Sequence, residues 1–414
     1  MVRAGERGAK LSGSGTVAAI VHCDRQAHSY LRAVQFSRVI GHAPLKARLI
    51  GNIRDGRVAH AQLFVGPRGS GNLPMALAYA QYLLCKQRGE ADACGSCPDC
   101  LQMAKLEHPD LHIAFPIFIQ EKKAKTCDRF LPEFRSAIKQ QPYMDLDMWR
   151  EIISSENKQL IIGIDIAREI QHRLSLRSFG GGHKIMLIWM PQLMNSEASN
   201  NLLKILEEPE PNTLFLLVTD DTQHLLPTIL SRAQLIKVPA IPPMALAEAV
   251  RERYAELSEE GSVQIALRSE GDLLEAIDMA EKGETDMFRY FRDWLRACYA
   301  RSVAGCSDLS EDFQKLGRER QKALLRYGLR MIRQCVLQWQ QVPELVRTAG
   351  EEHEFVKAFS KMLHHGNAPL IRQELETAHV HIERNANPKI LFMDLSFRIM
   401  GALHSKAPAE PISQ

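Results

Sequence analysis

Two groups of residues in this sequence have the types and spacing for chemistry, and they lie close together. Cys85, Cys94, Cys97 and Cys100 follow the pattern C-x8-C-x2-C-x2-C. Four thiolates suit a tetrahedral zinc ion, and close pairs let one turn supply two ligands. Gly95, Ser96, Pro98 and Asp99 between them are turn formers, as a metal knuckle needs. Four protein ligands leave no open position, so the site expected here is structural, with one zinc. Just upstream, Gly66-Pro67-Arg68-Gly69-Ser70-Gly71-Asn72-Leu73 reads as a phosphate loop. A working loop of the form GxxxxGK[ST] sets a lysine on the β- and γ-phosphates and a hydroxyl on Mg²⁺. Here Asn72 stands at the lysine position and Leu73 at the hydroxyl position. The first brings no charge and the second no lone pair. Gly66, Gly69 and Gly71 keep a backbone that could still draw an anion to a helix N-terminus, with Arg68 beside it. ATP-Mg binding and turnover are not expected.

The elements that must position these residues are legible around them. Residues 61–65 form a short apolar run before the loop, and Leu73 to Leu84 carries helix formers, with Pro74 tolerated in the first turn. Residues 111–119 fit a strand and a turn. Residues 120–160 are charged and show no period, which predicts an insertion or a long surface excursion. Ile164, Ile166, Ile170 and Leu174 mark one side of a helix over 163–178, with Arg168, Arg173 and Arg177 elsewhere on it. After Gly180-Gly181-Gly182, residues 184–189 read as a buried strand, Ser196 to Glu208 as a helix ended by Pro209, and 214–219 as another buried strand. Strands alternating with helices predict a doubly wound α/β domain. Beyond Pro239, Pro242 and Pro243 the pattern is helical throughout, over 244–282, 286–303, 310–341, 351–384 and a last helix after Asn387-Pro388.

An active nucleotide hydrolase also needs acids after the strand that stands here at 185–189, one for Mg²⁺ and one to orient water. Trp189, Met190 and Pro191 follow instead. This loss is independent of the missing lysine. Ser231-Arg232, after Leu225-Leu226-Pro227-Thr228-Ile229-Leu230, reads either as a surface or ion-pair arginine or as a finger that stabilises a phosphoryl group held by a neighbouring subunit.

The chain has 414 residues, a formal charge of +3 and 45% hydrophobic residues, which fits two or three globular domains and is too near neutrality to argue for a nucleic-acid-coating protein. DNA contact would need a local patch, and Arg168, Arg173 and Arg177 are the nearest to one; a solvated helix face is the plainer reading. No apolar run approaches the ~20 residues that span a bilayer. Nine cysteines in a chain this long do not make a secreted disulfide scaffold, so a reducing cytoplasm is the expected compartment. Residues 1–33 are rich in Gly, Ser, Arg and Ala, without a period. They are either a tail or an over-extended start, the true one being the codon read as Val34.

Several stretches together resemble the delta-prime subunits of the bacterial DNA polymerase III clamp loader and, more broadly, their gamma/tau paralogues. They are Val39-Ile40-Gly41-His42, His60-Ala61, the loop at 66–73, the four-cysteine module with His108-Pro109-Asp110 after it, Asn200-Asn201-Leu202-Leu203-Lys204-Ile205-Leu206-Glu207-Glu208-Pro209, and Leu226-Pro227-Thr228-Ile229-Leu230-Ser231-Arg232. The last two are similar to the family's "NALLKxLEEP" and "LPTIxSRC" signatures. The resemblance covers about 34–115 and 160–240 well, and 240–405 only in helical character.

The resemblance implies a degenerate AAA+ domain over 34–240, with the zinc module at 85–100 and the insertion at about 120–160. It further implies a helical lid over 241–284, a helical collar that builds a pentamer over 285–405, and a tail at 406–414. It implies gamma/tau and delta subunits as partners, the sliding clamp and primer-template DNA reached through the complex, no ATP turnover, and Arg232 as the arginine offered in trans. Ala233 replaces the motif's cysteine. Asn72, Leu73 and Met190 favour delta-prime over gamma/tau, and Leu274 stands where active paralogues carry a nucleotide-sensing arginine. An ATP-hydrolysing gamma/tau-type subunit and a zinc scaffold outside replication are the alternatives.

Overall fold

The computed structural model describes residues 35–118, 126–155, 158–282, 285–348, 350–384 and 386–405. The leader at 1–33 and the tail at 406–414 lie outside these residues. Five strands, β1 (Ala61–Val65), β2 (Leu111–Ala114), β3 (Lys184–Trp189), β4 (Thr213–Thr219) and β5 (Gln234–Lys237), form one sheet in the order β2-β3-β4-β1-β5. Every pairing is parallel. β3 and β4 are buried along their whole length, because helices cover both faces of a parallel sheet. β5 is an edge strand with only Ile236 buried. The sequence reading omitted it, since four half-polar residues ahead of a proline cluster carry little strand signal.

The helices that accompany the sheet are α1 (Ala43–Arg54), α2 (Asn72–Leu84), α3 (Pro98–Ala104), α4 (Leu131–Gln140), α5 (Leu146–Ile152), α6 (Ile164–Ser175), α7 (Ser196–Glu207) and α8 (Pro227–Leu230). α2 is the central one, with every residue from Leu73 to Leu83 buried. A helix apolar all round belongs inside a core. α7 starts where Asn195 caps it, its side chain accepting from the Ala198 amide at 2.8 Å. Two helical groups follow: α9 (Pro243–Arg253), α10 (Glu259–Arg268) and α11 (Leu273–Lys282), then α12 (Thr285–Tyr299), α13 (Val303–Lys315), α14 (Arg318–Trp339), α15 (Gly350–Phe359), α16 (Asn367–Glu383) and α17 (Pro388–Leu403). Among the described residues no strand follows Lys237.

Among the described residues, buried apolar side chains gather in three clusters, one around the sheet, one within α9–α11 and one within α12–α17. Charged residues cross between the second and third. Arg268 pairs with Glu352 at 2.6 Å, and Tyr327 donates its hydroxyl proton to the same carboxylate. Glu352 is buried, so removing either partner would strand a charge.

The stretch at 120–160 departs from expectation. Its described part is helical, not a surface excursion. Phe134, Ala137 and Ile138 lie at helical spacing on the buried face of α4. Phe134 stacks on Phe115 with ring centroids 4.3 Å apart, and the Trp149 indole donates to the Pro116 carbonyl at 2.8 Å. α4 and α5 are therefore part of the sheet's core, and the charges of α4 lie on its exposed and half-buried faces.

Candidate functional site

The glycine loop leaves the carboxyl end of β1 and opens α2, the place where an α/β sheet receives a ligand. Gly69 and Gly71 have φ of +67° and +94°, which side chains disfavour. Asn72 does not point outward. Its amide donates to the Thr219 carbonyl at 2.9 Å and more weakly to Gly66 at 3.3 Å, and its oxygen accepts from the Leu73 amide at 2.8 Å. The residue at the lysine position thus ties the loop to the end of β4. Leu73 is buried in the core. His42, from the Val39–His42 stretch, reaches the Ser70 carbonyl at 2.9 Å, and burial holds its imidazole below the ordinary range.

Arg68 is the loop's only charged residue, and it is held on both sides. Its Nε donates to Asp145 at 2.6 Å and its Nη1 to Asp272 at 2.7 Å. Burial alone would lower its basicity, but the two carboxylates outweigh that and raise it. Asp145 caps α5 by accepting from the Met148 amide, and Asp272 caps α11 by accepting from Leu274 and Glu275. Burial pushes the Asp272 carboxyl up, with Arg68 countering it in part. Sequence reasoning named neither acid as a partner of the loop. Each had a signal only as a helix cap.

The two other losses also have structural counterparts. Met190 follows β3 in the left-handed region, φ 56°, and Gln192 bridges Asp220 at 2.9 Å and the Thr219 hydroxyl at 2.8 Å. Leu274 is buried in the α9–α11 core. None of these positions offers a cation or a metal-ready carboxylate pair at the loop.

The cysteines converge. Their four sulfurs lie within 4.8 Å of one another, at 3.6 Å for Cys85 to Cys94, 3.9 Å for Cys85 to Cys97 and 3.8 Å for Cys94 to Cys100. Cys85 ends α2 and Cys97 caps α3. Backbone amides of Cys94, Cys97 and Cys100 point at sulfurs, and amide donors from Ser96 and Cys97 pull the Cys94 thiol down to about 6. Burial pushes Cys100 the other way. The knuckle is braced by the first described residues: Gln35 donates to the Ala93 carbonyl at 2.7 Å, and Asp92 accepts from the Phe36 and Ser37 amides. Among the described residues, these four cysteines are the group that could hold a metal.

Arg232 lies just past α8 and two residues before β5 begins. Gln234 is level with Gln62, so Arg232 sits at the end of the sheet where the strands start. The glycine loop is at the other end, roughly 20 Å away at about 3.3 Å per residue. The guanidinium is partly exposed and pairs with Glu207 at 2.5 Å, while donating to the Thr228 carbonyl at 3.0 Å. Of the three arginines near α6, Arg173 is engaged by Glu169 at 2.7 Å and Asp128 at 2.5 Å. Arg168 is exposed with Asp165 at 3.5 Å, and Arg177 is exposed. They do not form one free face.

Residues 41–242 match the family described as "DNA polymerase III, delta subunit". The delta-prime subunit of Bacillus subtilis DNA polymerase III is 28% identical over 205 residues, which is 50% of this chain and 50% of that protein. The Pseudomonas aeruginosa delta-prime subunit is 30% identical over 42% of this chain and 41% of its own. The gamma/tau subunit of Mycobacterium tuberculosis is 24% identical over 62% of this chain and 38% of its own. The chain thus spans about half the length, or less, of the curated relatives it matches. No helix among the described residues is long and apolar enough to cross a membrane. Across residues 41–242, which carry the parallel α/β sheet, the chain is similar to the delta-prime and gamma/tau subunits of bacterial DNA polymerase III.

Proposed function

We propose that the chain is a delta-prime-type, non-hydrolysing member of a DNA polymerase III clamp loader. The observation that carries this reading is Asn72, whose side chain is bonded back to Gly66 and Thr219 where a hydrolase needs a free ammonium. Residues 34–240 serve as the AAA+ unit, 241–284 as its lid and 285–405 as the collar that joins gamma/tau and delta subunits. Through that assembly the chain acts in the cytoplasm on the sliding clamp and primer-template DNA.

Its own chemical contribution is Arg232. The arginine is too far from the chain's own loop to serve it, and it is reachable from outside. A guanidinium supplied in trans stabilises charge on the transferred phosphoryl group. Cys85, Cys94, Cys97 and Cys100 hold one structural zinc. Sulfurs about 2.3 Å from a tetrahedral centre stand about 3.8 Å apart, close to the 3.6, 3.9 and 3.8 Å of three pairs among these four. The ion cross-links the end of α2 to α3.

The test is reconstitution with gamma/tau and delta subunits. The chain alone should hydrolyse no ATP. The Arg232→Ala chain should assemble normally and slow hydrolysis by the complex; unchanged turnover would remove the finger assignment. The second reading, a gamma/tau-type motor, is favoured by the longer match to the gamma/tau relative. It predicts ATP turnover by the isolated chain, lost on changing Arg68 or Asn72.

A further inference from the structure

The described part of the 120–160 stretch does more than extend the core. Five of its residues, Tyr143 to Asp147, touch all three parts of the molecule. Tyr143 is only 5% exposed, and its side chain belongs to the α9–α11 core, not to the sheet's. Its ring lies against the glycine loop: a Cβ added at Gly71 would come within 2.8 Å of it. The Ile40 amide donates to its hydroxyl oxygen at 2.7 Å, which fixes the ring in place. Asp145 takes Arg68 from the loop. Asp147 takes Lys322 and Arg326 from α14, and Lys322 is itself buried. From the opposite side, Asp272 reaches so close to Gly69 that a Cβ there would fall 1.9 Å from its carboxylate oxygen, and the Leu273 amide donates to the Gly69 carbonyl at 3.3 Å.

A glycine loop binds phosphate because its bare backbone amides face open space at a helix N-terminus. Here that approach is covered by an aromatic ring and two carboxylates, and the loop's single cation is shared between both carboxylates, which leaves a net negative charge. An incoming triphosphate would meet like charge and a filled volume.

We propose that residues 143–147 form an internal plug and strut. The plug occupies the approach to the glycine loop. The strut joins the loop, the α9–α11 group and α14 through Arg68, Tyr143 and Asp147, so their mutual angle is set by the protein itself and not by a bound nucleotide. Restoring the loop's consensus residues therefore does not restore binding while the plug stands. Plug and strut are built from this chain alone, and they hold or fail whatever complex the chain enters.

The test compares two full-length variants, titrated with fluorescent mant-ADP and Mg²⁺. N72K/L73T should show no saturable binding at millimolar nucleotide. N72K/L73T with Tyr143→Ala and Asp145→Ala added should gain about tenfold or more in affinity over it. Equal binding by both variants would overturn the plug. Because the second variant could lose its fold, hydrogen exchange on the unmutated chain provides a separate measurement. Amides at 66–73, 143–148 and 272–276 should open together as one cooperative unit. A loop that exchanges independently of the other two segments would overturn the strut.

Discussion

The two ends of α2 have had opposite fates. At its start, the glycine loop lacks the lysine and hydroxyl of a nucleotide site, and protein side chains have closed over it. At its end, Cys85 belongs to a complete set of four thiols at mutually consistent distances. The difference lies in what each site has to hold. A glycine loop without the lysine and hydroxyl can be filled by an aromatic ring and an ion-pair network, and the fold gains buried contacts. A four-sulfur knuckle has no such substitute. Its short α3 and the turn before it have little apolar surface of their own, so each ligand is needed.

Four perturbations put this contrast at risk. The largest effect is expected away from both ends, at Arg232. If the catalytic contribution has moved to the start of the sheet, Arg232→Ala should slow hydrolysis at the neighbouring ATP site by roughly 10³-fold or more. The isolated chain's melting temperature should hardly change. A stability loss without a rate loss would make Arg232 a structural partner of Glu207. Next comes Cys100→Ser, or chelation of the intact protein. Zinc released should equal one ion per chain, with a loss above about 4 kcal/mol, the range reached when a metal is removed. Metal analysis with no zinc in the native protein would leave the cysteine end of α2 without a function to contrast.

At the other end of α2, Arg68→Ala should cost about 2–3 kcal/mol in urea unfolding, somewhat under the ~3–5 of a fully buried pair because its side chain is 27% exposed. Asp145 and Asp272 would be left facing each other without a cation. A neutral outcome would mean that the loop is held by packing alone. The smallest effect is a pH dependence. Burial alone would raise the Asp147 carboxyl, but Lys322 and then Arg326 outweigh it and hold it below the ordinary carboxylate range. Its contribution is therefore complete at neutral pH and disappears as pH falls through and below that range. Unfolding measured across acidic pH should fall more steeply for the native chain than for Asp147→Asn. Parallel curves would exclude Asp147 from the junction with α14.

Much of this was legible in the residues. α2, β3, β4 and α7 declared themselves through unbroken apolar runs, helix caps and prolines, and the cysteines through spacing alone. The signals that failed were non-local. Arg68 meets Asp145 across 77 positions and Asp272 across 204. No window of sequence contains either pairing, and an aspartate read locally is only a helix cap. The 120–160 stretch misled because its apolar residues are thinly spread among charges; Phe134, Ile138, Tyr143 and Trp149 are buried in two different cores. β5 is short and half-polar, and only its place beside β1 makes it a strand. Arg232 was visible as a residue, but its separation from the chain's own loop followed only from the parallel register.

The Glu207 carboxylate has a consequence for how such an arginine would work. In the free chain it already occupies the guanidinium, so contact with an uncharged neighbouring surface offers Arg232 nothing better. A terminal phosphate carries more negative charge than a carboxylate and can displace it. The pair would then act as a discriminator, releasing the arginine to a loaded neighbour and keeping it parked beside an empty one.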